Sequence, residues 1–195
     1  MDTKKLTFTI MMGALGNSLF LISQAASGIG SIGGVSLALD FSLLAVFIVG
    51  IYAGPKSGFV TGLIAGIIPG IVLGTAPFGV ILNVVAIPLG KGLTGLTIGL
   101  LATNIKIENK LHKALLFIPL ILIAYIPEGI FTYTYFMALL PIFLSKTMAA
   151  AGVYTILTKA IIEVSIMSLI IAALVNNKSV NNFIEAHFKT KSTKN

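Results

Sequence analysis

The chain has 195 residues, is 56% hydrophobic and only 10% charged, and carries 13 basic side chains against 6 acidic ones. Soluble domains carry about 25% charged residues, so a water-soluble fold of this length is excluded and lipid is the expected solvent. The absence of cysteine excludes a disulfide framework, a thiolate nucleophile and any Cys-ligated metal site.

The first apolar stretch, residues 6–24, is long enough to span a bilayer, which takes about 20 residues. Lys4 and Lys5 before it and Ala25-Ala26-Ser27 after it imitate a signal peptide. Its length, its Asn17 and the spans that follow mark it instead as a retained first helix. The glycine-rich connector 25–36 contains Gly28-Ile29-Gly30-Ser31-Ile32-Gly33, which matches a dinucleotide-binding pattern by spacing alone. That pattern works between a strand and a helix of a βαβ unit, so here it is a linker, or a flexible loop able to close over a ligand. The second span, 36–53, places Asp40 about one turn inside its outer end, where the helix dipole favours an acid.

The third span, 58–75, carries Gly58, Gly62, Gly66, Gly70 and Gly74, a row of overlapping Gly-x-x-x-Gly motifs. Such a row lets a neighbouring backbone approach closely, within this chain or on another subunit, and Pro69 is expected to bend the helix. The fourth span, 81–103, bears Asn83 and Lys91; the fifth, 114–138, bears Tyr125, Glu128, Tyr133 and Tyr135. The sixth, 151–175, bears Tyr154 and the i,i+4 pair Lys159 and Glu163, which share a face and can pair directly. The division is therefore a six-helix transmembrane domain, 1–178, and a polar tail, 179–195, expected to be disordered.

Every basic residue is a lysine. Lys4, Lys5, Lys56, Lys106, Lys110, Lys113, Lys178, Lys189, Lys191 and Lys194 fall on one side of a six-span bundle, and Lys146 alone on the other. The positive-inside rule then puts both termini in the cytoplasm. Dispersed between apolar segments, these lysines do not form a nucleic-acid surface.

Asp40, Lys91, Glu128, Lys159 and Glu163 remain in the spans, each costing about 2.5–3.5 kcal/mol to insert near a helix centre. Lys159–Glu163 is a structural ion pair or part of a site. Lys91 and Glu128 form an interhelical pair or contact a ligand. At 1.5 Å per residue Glu128 lies about 20 Å from the cytoplasmic start of its span and Lys159 about 12 Å from the outer end of its own. Together with Asn83 and Tyr125 they point to a pocket facing outward. Tyr135 and Tyr154 read as interfacial belt.

Leu39-Asp40-Phe41-Ser42, followed by Gly54-Pro55-Lys56-Ser57-Gly58, resembles the substrate-binding S-components of energy-coupling-factor (ECF) transporters. The motif is partial, since Leu43 and Ala45 stand where members often carry an acid and a proline. The resemblance implies an all-α integral membrane protein of six transmembrane helices in a prokaryotic cytoplasmic membrane. It implies capture of a vitamin or related micronutrient in the outer half, beneath the helix 1–2 loop. Partners would be a membrane coupling subunit and two separate ATPases, docked through small residues on the first helix: Gly13, Ala14 and Ser18, a variant of Ala-x-x-x-Ala. The expected substrate-binding residues are Glu128, Lys159, Lys91, Asn83, Tyr125 and Asp40, with no cofactor, metal or catalytic group. The absence of a Walker A motif fits ATPases on other subunits.

Two other classes compete. A self-contained secondary transporter would show inverted repeats with broken helices, and none is evident between the halves. An intramembrane enzyme would need a nucleophile and base; with no histidine or cysteine in the spans, only a Ser–Lys pair such as Ser165 with Lys159 remains. The chain therefore reads as a binding subunit and not an enzyme.

Overall fold

The computed structural model describes residues 2–26, 31–32, 35–36, 39–75, 82–104, 110–143 and 145–188. Its helices are α1 (Thr3–Ala26), α2 (Ser42–Ala53), α3 (Pro55–Ala65), α4 (Ile67–Thr75), α5 (Asn83–Thr103), α6 (Lys110–Thr134), α7 (Lys146–Asn176) and α8 (Lys178–Phe188). Five helical stretches among the described residues are long and apolar enough to cross a membrane: Thr3–Ala26, Pro55–Leu73, Asn83–Thr103, Leu115–Ile142 and Lys146–Asn176. A multi-pass, all-helical membrane protein is the class these define. Strand pairing among the described residues is limited to an antiparallel ladder of Ser31–Ile32 (β1) with Val35–Ser36 (β2), which belongs to the connector ahead of α2.

The expected second span is much shorter than its sequence run. α2 begins at Ser42, so Asp40 precedes the helix instead of lying one turn inside it. Its 12 residues rise about 18 Å, against a hydrocarbon core about 30 Å thick. The reason is local. The Asp40 N–H is donated to Glu163 Oε1 at 2.7 Å, and the Asp40 carboxylate accepts from the Ser42 N–H at 2.9 Å. Both bonds remove this backbone from a helical ladder. α2 is apolar all round and packs against α1, α3, α5 and α7, which makes it the central helix of the bundle. Val46, Phe47 and Val49 are fully buried there, and Ile98, Phe117, Ile121, Val164, Met167 and Ile171 complete the main core around it.

A turn at Gly54, the sole described residue with positive φ (+90°), reverses the chain into α3, with Pro55 at the first helical position. The glycine row of α3 and α4 faces α5 within the same chain. A Cβ added at Gly58 would meet the Gly95 carbonyl, one at Gly62 the Lys91 carbonyl, and one at Gly66 Pro88. Gly95 and Gly99 of α5 return the contact onto Gly58 and Pro55. The helix breaks at Gly66, three residues before Pro69, whose ring crowds the carbonyl four residues back. Asn17 of α1 spans that break: its amide donates to Ile64 O at 2.8 Å, and its oxygen accepts from the Ile68 N–H at 3.1 Å. These are the two groups that a continuous helix would join to each other.

The bundle has two distinct ends. The start of α1, the α2–α3 turn, the end of α5 and α8 lie together: Gly99 packs on Pro55, Tyr52 OH donates to Asn181 Oδ1, and α8 touches α1. Lys4, Lys5, Lys56 and Lys178 therefore share that end. Lys146 begins α7 at the other. The tail departs from its expected disorder, because Lys178–Phe188 is helical. Asn177 caps α8 by accepting from the N–H groups of Ser179 and Val180, and Ile184 is buried. Much of the glycine-rich connector, Lys106 and the final lysines Lys189, Lys191 and Lys194 lie outside the described residues.

Candidate functional site

Five ionisable side chains from four segments gather around the start of α2. Lys91 of α5, 3% exposed, places its ammonium 2.7 Å from Asp40 Oδ2 and also donates to the Ser42 hydroxyl. Lys159 and Glu163 of α7 form the i,i+4 pair at 3.4 Å, and Glu163 Oε1 simultaneously accepts from the Asp40 N–H. Glu128 of α6 accepts from the Thr94 hydroxyl of α5. A Cβ at Gly90 would lie 3.3 Å from Glu128 Cγ, so glycine there leaves room for the carboxylate side chain. Tyr125 is half-buried one turn before Glu128.

The network lies at a seam. Two hydrogen bonds of the network cross from the α1–α5 part of the bundle to the α6–α7 pair, one through Asp40 and Glu163, the other through Thr94 and Glu128. Counted back from the lysine-rich end, Lys91 is 12 residues from the end of α5 and Glu163 is 13 from the end of α7, or about 18–20 Å by helical rise. That matches the full length of α2, so Lys91 and Glu163 share one depth, at the start of α2. Each formal charge described here has a hydrogen-bond or ion-pair partner.

The sequence-expected residues are thus partly assembled. Asp40, Lys91, Glu128, Lys159 and Tyr125 converge. The open choice for Lys91 resolves toward Asp40, with no salt bridge to Glu128 within 4.0 Å. Asn83 stands apart: its amide donates to Leu73 O at 3.0 Å and its oxygen accepts from Tyr135 OH at 2.8 Å. Tyr135 is correspondingly a core residue, 6% exposed, and not an interfacial one. It opens a π-helical turn, Tyr135–Leu139, that continues α6.

Of the expected docking residues, Ala14 and Ser18 lie on the open face of α1, beside Met11, Leu15 and Ile22. Gly13 instead belongs to the internal seam, where an added Cβ would meet the Ile64 side chain. Ser165, the conceivable nucleophile, donates to Ile161 O at 2.7 Å, while Lys159 is held by Glu163. Ser42 and Thr94 were not anticipated as members of the network. Ser42 had a signal, since an Asp two residues ahead of a polar N–H is an Asx pattern; Thr94, one of several threonines on α5, had none.

Compared with models of protein families, with curated proteins and with solved structures, the chain matches none.

Proposed function

We propose that the chain is the substrate-binding S-component of an energy-coupling-factor transporter, binding a vitamin-like micronutrient for import. The observation that carries this reading is the charged network at the start of α2, set inside an otherwise apolar helical bundle. Intramembrane ionisable residues at an interhelical seam mark substrate pathways far more often than they add stability. The position of the Leu39-Asp40-Phe41-Ser42 motif supports it, since Asp40 and Ser42 are two of the residues that hold Lys91. α2 enters as the sixth apolar helix, one that does not cross by itself. The lysine-rich end faces the cytoplasm under the positive-inside rule, which turns the network toward the outside. The face of α1 carrying Ala14 and Ser18 takes the coupling subunit, and ATP is hydrolysed on other chains.

A secondary transporter is the competing reading, favoured by one feature, the broken helix α3–α4. Reconstitution separates the two. The small molecule that copurifies is identified by mass spectrometry and offered to proteoliposomes with or without the host's coupling subunit and ATPases. Uptake is expected only with the partners and ATP. Ala14→Trp should block it and weaken copurification of the coupling subunit while binding of the molecule survives. Accumulation at full rate by the chain alone refutes the proposal.

A further inference from the structure

Resting on the reading of this network as the cargo site, we infer that Glu128 recognises a positively charged group of the cargo, a protonated amine or a quaternary nitrogen. Charge balance carries the inference. Lys91 is committed to Asp40 at 2.7 Å and Lys159 to Glu163 at 3.4 Å. The third carboxylate, Glu128, is held by the neutral hydroxyl of Thr94. The other ionisable groups of the network are Lys91 on α5, Asp40 ahead of α2, Lys159 and Glu163 on α7 and, on its own helix, Tyr125. With its carboxylates ionised, this set of two ammoniums and three carboxylates is one positive charge short. An uncompensated carboxylate in low dielectric is strongly unfavourable, so the missing charge is a proton or a cation. Glu128 is partly exposed, and no ammonium is paired with it. An anionic cargo would have to take Lys91 or Lys159 from its carboxylate and leave Asp40 or Glu163 without a counter-ion. A cation completes the network and displaces a proton.

The test uses the full-length protein in detergent and five probes: thiamin and pyridoxamine as cations, biotin and pantothenate as anions, and riboflavin as a neutral ring. Calorimetry is run in two buffers of different ionisation enthalpy. At least one cation is expected to bind with release of a proton, and the anions and riboflavin are expected not to bind. Glu128→Gln, which keeps an acceptor for Thr94, should weaken the cation by about thirtyfold or more. Tight binding of an anion or of riboflavin, no binding of either cation, or cation affinity unchanged in Glu128→Gln each overturns the inference. The transport reading fails separately. An anion that binds and is imported only with the coupling partners sinks this inference and spares that reading, whereas a cation imported without partners does the reverse.

Discussion

Gly62→Ala isolates the contact that holds the first five helices together. A methyl group there would meet the carbonyl of Lys91 and the peptide of Gly92. Neither can rotate away, because both belong to the backbone of α5. The helices must separate, and separation also opens the neighbouring contacts of Gly58 with Gly95 and Gly66 with Pro88. Overpacking costs about 1–3 kcal/mol, and a collision with rigid backbone belongs at the upper end, near 3 kcal/mol. Alanine returns about 1 kcal/mol of helix propensity, leaving a net loss of about 2 kcal/mol. For a chain of this size that is a fall in Tm of about 4–8 °C. Gly129→Ala on α6 is the internal control. Its nearest neighbours are Tyr125 Cε1 at 3.6 Å and Leu157 Cδ2 at 4.0 Å, ordinary contacts, so only the propensity gain remains and Tm should hold or rise. Thermal unfolding of both variants in one detergent, followed by circular dichroism, gives the comparison. A Gly62→Ala protein that melts at or above the wild type would show that the glycine row faces lipid or another subunit, not α5.

Three further outcomes follow from the same geometry. Lys91→Met leaves the Asp40 carboxylate without its ammonium. Breaking a buried pair costs about 3–5 kcal/mol, and the 22% exposure of the Asp40 side chain sets the loss near the lower bound. Adding Asp40→Asn should restore more than half of it, and purely additive losses in the double-mutant cycle would refute the pairing. Asn17→Leu removes both bonds across the α3–α4 break and should cost about 2 kcal/mol. Equal melting temperatures for the two proteins would dismiss the bridge. Because the chain has no cysteine, single cysteines report topology cleanly. An impermeant maleimide applied to intact cells should label Thr147→Cys and spare Ser179→Cys, both exposed positions, and labelling of both from outside would mean that the span count is wrong.

The helices were legible because lipid demands long apolar runs, and the row from Gly58 to Gly70 was legible because close backbone contact tolerates little else. Lys159 and Glu163 announced their pairing through their spacing. What the sequence could not display was the competition at Asp40. Residues 36–41 are apolar enough to continue a helix, and no local rule says that the N–H of Asp40 is better spent on a carboxylate 123 positions downstream. Tyr135 was misplaced for a related reason. A tyrosine near a span end is ordinarily interfacial, and only its distant partner Asn83 makes it a core residue. Asn17 appeared as an inconvenient polar residue in a span, and its role depends on a break in another helix. The tail failed differently: its composition is polar, but Asn177 and Ile184 supply the cap and the anchor that an 11-residue helix needs.

The shortness of α2 connects these particulars to the charged network at its start. The centre of the bundle is filled by helix only for about 18 Å from the lysine-rich end. Just ahead of α2, Leu39 and Asp40 are non-helical. A helix that begins inside a membrane presents unpaired N–H groups and the positive end of its dipole at that depth. Here the Asp40 carboxylate answers the first of these N–H groups, and Lys91 in turn answers Asp40. The helix start, Asp40 and the seam with α6–α7 are thus held by the same few charge-assisted bonds. Such bonds are strong when satisfied and costly when broken singly, so the placement of Asp40 is coupled to the ionic state of the network. On the proposed reading, a cargo cation at Glu128 would stabilise the assembled seam, and its loss would weaken the hold on Asp40. The coupling follows from bonds already present between Asp40, Lys91 and Glu163, and it requires no movement of the glycine-packed helices α3 and α5.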